Sequence, residues 1–90
     1  MKSVHVSIGG RAQGVWYRAW TTEQAKKRGL DGWVCNRTDG TVEAVFSGED
    51  TEVDAMLLAC ELGPPLVRVE NVSATPCDPP SPGFTALPTE

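Results

Sequence analysis

Val4-His5-Val6-Ser7-Ile8-Gly9-Gly10-Arg11-Ala12-Gln13-Gly14-Val15-Trp16-Tyr17-Arg18 is the stretch on which the architecture turns. Val4, Val6 and Ile8 fall two apart, the spacing of a strand with one buried face. From Ala19 to Arg28 there is no Gly or Pro, and Lys26-Lys27-Arg28 closes the run, so a helix is predicted over 17–28. A loop holding Gly9, Gly10 and Gly14 therefore joins a strand to a helix start. Glycines permit unusual φ and close backbone approach, so several N–H groups of such a loop can aim at one point. The helix start adds unpaired N–H donors and partial positive charge. Arg18 at that start brings a planar fork of donors. This combination suits a small, multiply charged anion, and phosphate is the natural candidate.

Taken alone, three glycines in a loop signal no more than a turn with solvated arginines. The pattern is not a Walker loop, which ends in Gly-Lys-Ser/Thr, nor the dinucleotide G-x-G-x-x-G. Composition narrows the classes further. Ninety residues with 40% hydrophobic and 22% charged side chains fit one domain, expected to span residues 1–90. A net charge of −4 argues against general binding to nucleic acid or anionic membrane. No apolar run approaches the length of a transmembrane helix. The opening Met1-Lys2-Ser3-Val4-His5 lacks the apolar core of a signal peptide, so a cytoplasmic location is expected. Cys35, Cys60 and Cys77 are odd in number and lack C-x-x-C spacing, so neither a disulfide framework nor a metal or redox pair is supported. Cys60 is expected in the core, Cys35 and Cys77 as exposed thiols, and His5 on the outward face of the first strand.

Further along, Thr21 and Ala25 lie one turn apart and face inward, and Gly29 stops the first helix. Leu30 to Thr38 reads as a strand, Asp39-Gly40 as a type I′ hairpin turn, and 42–46 as the returning strand, closed by Gly48. Asp39 and Glu43 take structural places, in the turn and on the exposed strand face. Asp50 or Thr51 is the expected cap of a second helix whose Val53, Met56, Leu57 and Cys60 form an apolar stripe. Gly63-Pro64-Pro65 ends it, and residues 66–74 read as a strand. The segment 75–83 holds four prolines and is unsuited to a sheet interior, while 84–87 reads as a short edge strand. The order β-α-β-β-α-β is that of an α+β ferredoxin-like sandwich, with two helices on one face of an antiparallel sheet, the other face partly wet, and a short fifth strand.

Gly10-Arg11-Ala12-Gln13-Gly14-Val15-Trp16-Tyr17-Arg18 resembles the acylphosphatase signature G-R-V-Q-G-V-x-F-R. Residues 32–43, Gly-Trp-Val-Cys-Asn-Arg-Thr-Asp-Gly-Thr-Val-Glu, resemble that family's G-W-V-x-N-x-x-D-G-x-V-E, with Gly48 following. The likeness runs on through Gly63-Pro64-Pro65 to about Val72, and acylphosphatases share the ferredoxin-like fold. The chain departs from the pattern at Ala12 (usually Val), Tyr17 (usually Phe) and Cys35 (often Lys or Arg), and in its C-terminal run.

The resemblance implies hydrolysis of acyl phosphates to carboxylate and inorganic phosphate. Such mixed anhydrides carry a good leaving group, so the reaction needs phosphoryl charge neutralised and a water positioned. The resemblance assigns phosphate binding to the loop amides of Ala12, Gln13, Gly14, Val15, Trp16 and Tyr17 with the Arg18 guanidinium. It assigns water positioning to Asn36 and proton acceptance to the substrate's own phosphate. Arg18 and Asn36 are thus the expected catalytic residues. No cofactor and no metal are expected, and the partner is a small-molecule acyl phosphate met by a monomer. Three other readings compete. One is a ferredoxin-like module that binds anions without turnover. Another is an RNA-binding module, disfavoured by charge and by the lack of an aromatic strand motif. The third is a domain acting on carbamoyl phosphate within a larger carbamoyl-transfer enzyme.

Overall fold

Alternation of buried and half-exposed residues sets the first strand, and the same face is reused by its neighbours. In the computed structural model, which describes residues 1–13, 15–64 and 67–89, the order is β1 (Lys2–Arg11), α1 (Val15–Lys27), β2 (Asp31–Asn36), β3 (Val42–Gly48), α2 (Asp50–Leu62), β4 (Arg68–Pro76) and β5 (Phe84–Ala86). The sheet order is β4-β1-β3-β2-β5. Val4, Val6 and Ile8 of β1, Val34 of β2, and Val42, Ala44 and Phe46 of β3 are buried beneath the helices. Tyr17 and Ala25 of α1 and Val53, Met56 and Cys60 of α2 complete this core. The expected α+β sandwich is therefore the observed one.

Several boundaries move, each for a physical reason. β1 does not stop before the glycines. Gly9 pairs with Asn71, and Gly10 with Val69 across a register shift. A Cβ on Gly9 would come within 2.1 Å of the Asn71 side-chain oxygen, and one on Gly10 within 2.4 Å of the Arg68 carbonyl. Gly10 also has φ 108°. Gly10 thus serves close passage of the β4 backbone at a bulge, and Gly9 makes room for the Asn71 side chain, so both work within the sheet rather than in a loop. The loop that remains is short, and α1 begins at Val15 instead of Tyr17.

At the other end of α1, Leu30 N–H donates to the Ala25 carbonyl (3.0 Å) and Gly29 N–H to that of Lys26 (3.1 Å), with Gly29 at φ 69°. That is a Schellman stop, and it buries Leu30 against the helix. The hairpin is longer than the expected two-residue turn. Gly40 N–H donates to the Arg37 carbonyl (3.3 Å) and Arg37 N–H to that of Thr41 (2.9 Å), leaving three residues in the loop. Neither Asp50 nor Thr51 caps α2. Glu49 is its N-cap, without a side-chain hydrogen bond, while Asp50 and Glu52 in the first turn complement the helix dipole.

β4 runs to Pro76, two residues beyond its expected end, which an edge strand tolerates. The chain then crosses to the opposite edge, where β5 pairs with β2 in parallel. The sheet is thus antiparallel except for this last strand, whose exit carries Leu87 alongside Val34, with a 2.8 Å bond from its N–H to the Val34 carbonyl.

The face without helices is less wet than expected. Cys35, Val45 and Ser47 are buried there. Cys35 is accordingly no exposed thiol, because the side chains of its neighbours close over it; its sulfur lies 3.8 Å from Glu43 Oε1. Glu43 is only 16% exposed, its carboxylate receiving His5 Nε2 at 2.5 Å and Arg37 Nη1 at 2.8 Å. His5 also meets Trp33 edge to face, with ring centroids 6.3 Å apart.

Candidate active site

Three chain segments reach one end of the sheet: the loop from β1 into α1, the close of β2 with its hairpin, and the exit from β5. The first N–H groups of α1, beginning at Val15, have no partner within the helix by helix geometry. Arg18 stands in that first turn. Its Nη1 donates to the Leu87 carbonyl at 2.7 Å, and its Nε is buried with no hydrogen-bond partner among the described residues. Thr22 Oγ1 donates back to the Arg18 carbonyl at 2.8 Å.

Asn36 ends β2 and pairs with Val42. It points to the same side of the sheet as Val34, two residues earlier, which is the side α1 packs on. Asn36 is 7% exposed, and its Oδ1 is buried without a partner among the described residues. Leu87 joins Arg18 to the strand that ends in Asn36: its carbonyl accepts from Arg18 Nη1 while its N–H donates to the Val34 carbonyl.

Of the other expected phosphate ligands, Ala12 is buried and Gln13 is exposed. Gly14 lies outside the described residues, and for Val15 the backbone place at the helix start is what the structure describes. Trp16 is 84% exposed beside the loop. Tyr17 is fully buried, and its hydroxyl finds the partner that burial demands, donating to the Cys60 carbonyl at 3.3 Å. Burial raises the Tyr17 phenol far above its usual range and pushes the Cys60 thiol up to about 12, so neither ionises near neutrality.

Two contacts were not legible in the sequence. The Gln13 side-chain amide donates to the carbonyls of both Arg37 and, at 3.0 Å, Thr41. Arg18 depends on a backbone oxygen 69 residues away. All three partners are main-chain oxygens, which residue types do not advertise. The titratable cluster lies elsewhere. His5, Glu43 and the Arg37 guanidinium gather on the helix-free face, and Asp39 spends its carboxylate on Thr41 N–H (2.9 Å) and Oγ1 (2.7 Å). Those Thr41 bonds hold Asp39 below the ordinary carboxylate range. Among the described residues no three His, Cys, Asp or Glu side chains converge as a metal site requires.

A sequence model of the acylphosphatase family matches residues 4–86. The chain belongs to the acylphosphatase family. It is 54% identical over 90 residues to an acylphosphatase of Rhodospirillum rubrum, covering 99% of both chains. Its fold matches the acylphosphatase of Bacillus subtilis with a TM-score of 0.90 at 31% identity, over 97% of this chain and 99% of that one. An acylphosphatase from Coxiella burnetii matches equally, TM-score 0.90 at 30% identity, over 96% of this chain and 92% of the other. This acylphosphatase relationship makes the protein a hydrolase and accounts for the β-α-β-β-α-β-β order. No described helix is long and apolar enough to cross a membrane.

Proposed function

We propose that this protein hydrolyses the carboxyl–phosphate bond of acyl phosphates through the paired work of Arg18 and Asn36. The N–H groups of residues 12–17 and the Arg18 guanidinium bind the phosphoryl oxygens and spread their charge. Charge-assisted bonds from a guanidinium fork are strong and directional. Water attacks phosphorus in line with the leaving carboxylate; the O–P bond to water forms as the bond to the carboxylate breaks.

The observation that carries this reading is Asn36 Oδ1, an acceptor shielded from solvent and unpartnered among the described residues, at the end of the strand on which α1 packs. A water that donates one hydrogen to it turns a lone pair outward, toward a phosphorus held by Arg18. An amide takes no proton at neutral pH, and His5 and Glu43 engage each other across the sheet. The water's proton therefore passes to an oxygen of the substrate's phosphoryl group. On this reading the enzyme works as a cytoplasmic monomer with neither metal nor cofactor.

Benzoyl phosphate hydrolysis in the presence of EDTA, for wild type beside Asn36→Ala, tests it. The expected result is metal-free turnover that the variant loses while still binding inorganic phosphate. Phosphate binding without turnover in the wild type would overturn it in favour of a binding module.

A further inference from the structure

Nothing about a glutamine in a glycine-rich loop says what its side chain does. Here the Gln13 carboxamide leaves its own loop and reaches the neck of the β2–β3 hairpin. Its Nε2 carries two hydrogens, and both are used: one on the Arg37 carbonyl, the other on the Thr41 carbonyl. Those carbonyls flank the hairpin loop, and the Thr41 oxygen also receives Arg37 N–H at 2.9 Å. Arg37 directly follows Asn36. Its far end is fixed as well, since its Nη1 meets Glu43 Oε1 at 2.8 Å on the opposite face. The residue after Asn36 is thus held at backbone and side chain, from two sides of the sheet.

Asn36 itself has no such support for its Oδ1. A side chain that must orient a water cannot spend its acceptor on the protein, so its aim has to come from the backbone beneath it. That backbone ends a strand and enters a turn, where strand pairing gives out. Displacement of a reacting group by about 1 Å can cost a factor near 100 in rate.

We propose that Gln13 is a positioning residue that clamps the hairpin to the phosphate-binding loop and so fixes Asn36 relative to the bound phosphoryl group. The inference rests on the acylphosphatase reading and deepens it. The loop's backbone addresses the anion while the same residue's side chain locks the water-orienting strand end. A single short segment thereby sets both halves of the in-line geometry.

The test is Gln13→Met, which keeps the side chain's length and removes both donors, compared with Asn36→Ala and the double variant. Gln13→Met should lower kcat for benzoyl phosphate on the order of 10- to 100-fold while inorganic phosphate inhibits as before. In the Asn36→Ala background the same change should cost less than about twofold, because its route to the reaction is already gone. Independent losses that multiply, or weakened phosphate inhibition, would overturn the proposal and place Gln13 in the cradle or in general folding.

Amide hydrogen exchange reads the clamp without turnover. The Arg37 N–H, bonded to the Thr41 carbonyl, should exchange faster in Gln13→Met while core amides such as those of Val6 and Ala44 stay protected. Unchanged exchange at Arg37 refutes the clamp. Absence of wild-type turnover alongside accelerated exchange would instead count against the acylphosphatase reading and leave the clamp standing.

Discussion

Two polar clusters stand on opposite faces of one sheet and are built on opposite terms. On the helix-free face, Glu43 is hydrogen-bonded to His5 and ion-paired with Arg37, and Ser3 and Ser47 share a hydroxyl bond of 2.7 Å. On the helix side, Arg18 leaves Nε unpaired and Asn36 leaves Oδ1 unpaired among the described residues. A buried polar atom without a partner costs about 1–3 kcal/mol. A small domain keeps such costs where they have a use. The cluster richer in titratable residues is satisfied, whereas the poorer one has a donor and an acceptor to spare, and it is to that one that the proposed chemistry is assigned.

That contrast breaks first if Arg18 proves dispensable. Arg18→Gln should abolish turnover and weaken inorganic phosphate binding by about 1.5–3 kcal/mol, roughly 10- to 150-fold. A phosphate titration checks it. Unchanged affinity would move the anion site elsewhere.

Asn36→Ala comes next and should separate activity from stability. Turnover collapses, yet the unfolding midpoint holds or rises, with a gain of up to about 1 kcal/mol, because a buried unpaired acceptor is removed. Denaturant titration beside the kinetic assay decides this. A clear loss of stability would mean that Asn36 is a satisfied structural residue like those across the sheet.

Glu43→Gln should show the reverse pattern. Burial works against the Glu43 charge, but hydrogen bonds from His5 and Arg37 prevail and hold its carboxyl below the usual 4.5. A depressed carboxylate contributes its stability in full above that ordinary value and loses it as pH falls through the folded value. The variant should therefore be about 1–2 kcal/mol less stable at pH 7, a gap that narrows steadily below about pH 4.5. Unfolding curves at pH 7, 4.5 and 3 measure it. A gap independent of pH would show that packing, not the ionised carboxylate, is responsible. Ser47→Ala is the smallest case, about 0.5–1 kcal/mol from one lost hydroxyl bond, with the phosphate affinity untouched.

Much of the fold was legible because its causes are local. Alternation at Val4, Val6 and Ile8, the stripe of Val53, Met56 and Cys60, and the stop at Gly29 each depend on residues within a turn or two. The two multi-residue motifs pointed to the family that the comparisons establish. The demand on Gly9 and Gly10 is not local: it comes from β4, some sixty residues away, where the Asn71 side chain lies against Gly9 and the backbone at Arg68 and Glu70 leaves no room for a Cβ on Gly10. Cys35 was misread for the same reason, since its cover is supplied by neighbours on other strands.

Residue pattern sets the order of elements, the sides of the sheet on which apolar residues lie, and the residue types available for chemistry. Tertiary structure alone decided which polar groups meet. His5 finds Glu43 across 38 residues, Gln13 finds the hairpin neck across 24 and 28, and Arg18 finds Leu87 across 69. Periodicity is fixed by rotation about neighbouring bonds, whereas partnership is fixed by strand register and by the path of the chain across the sheet. Several of those partners are backbone carbonyls, which every residue carries alike, so only their placement in space distinguishes them.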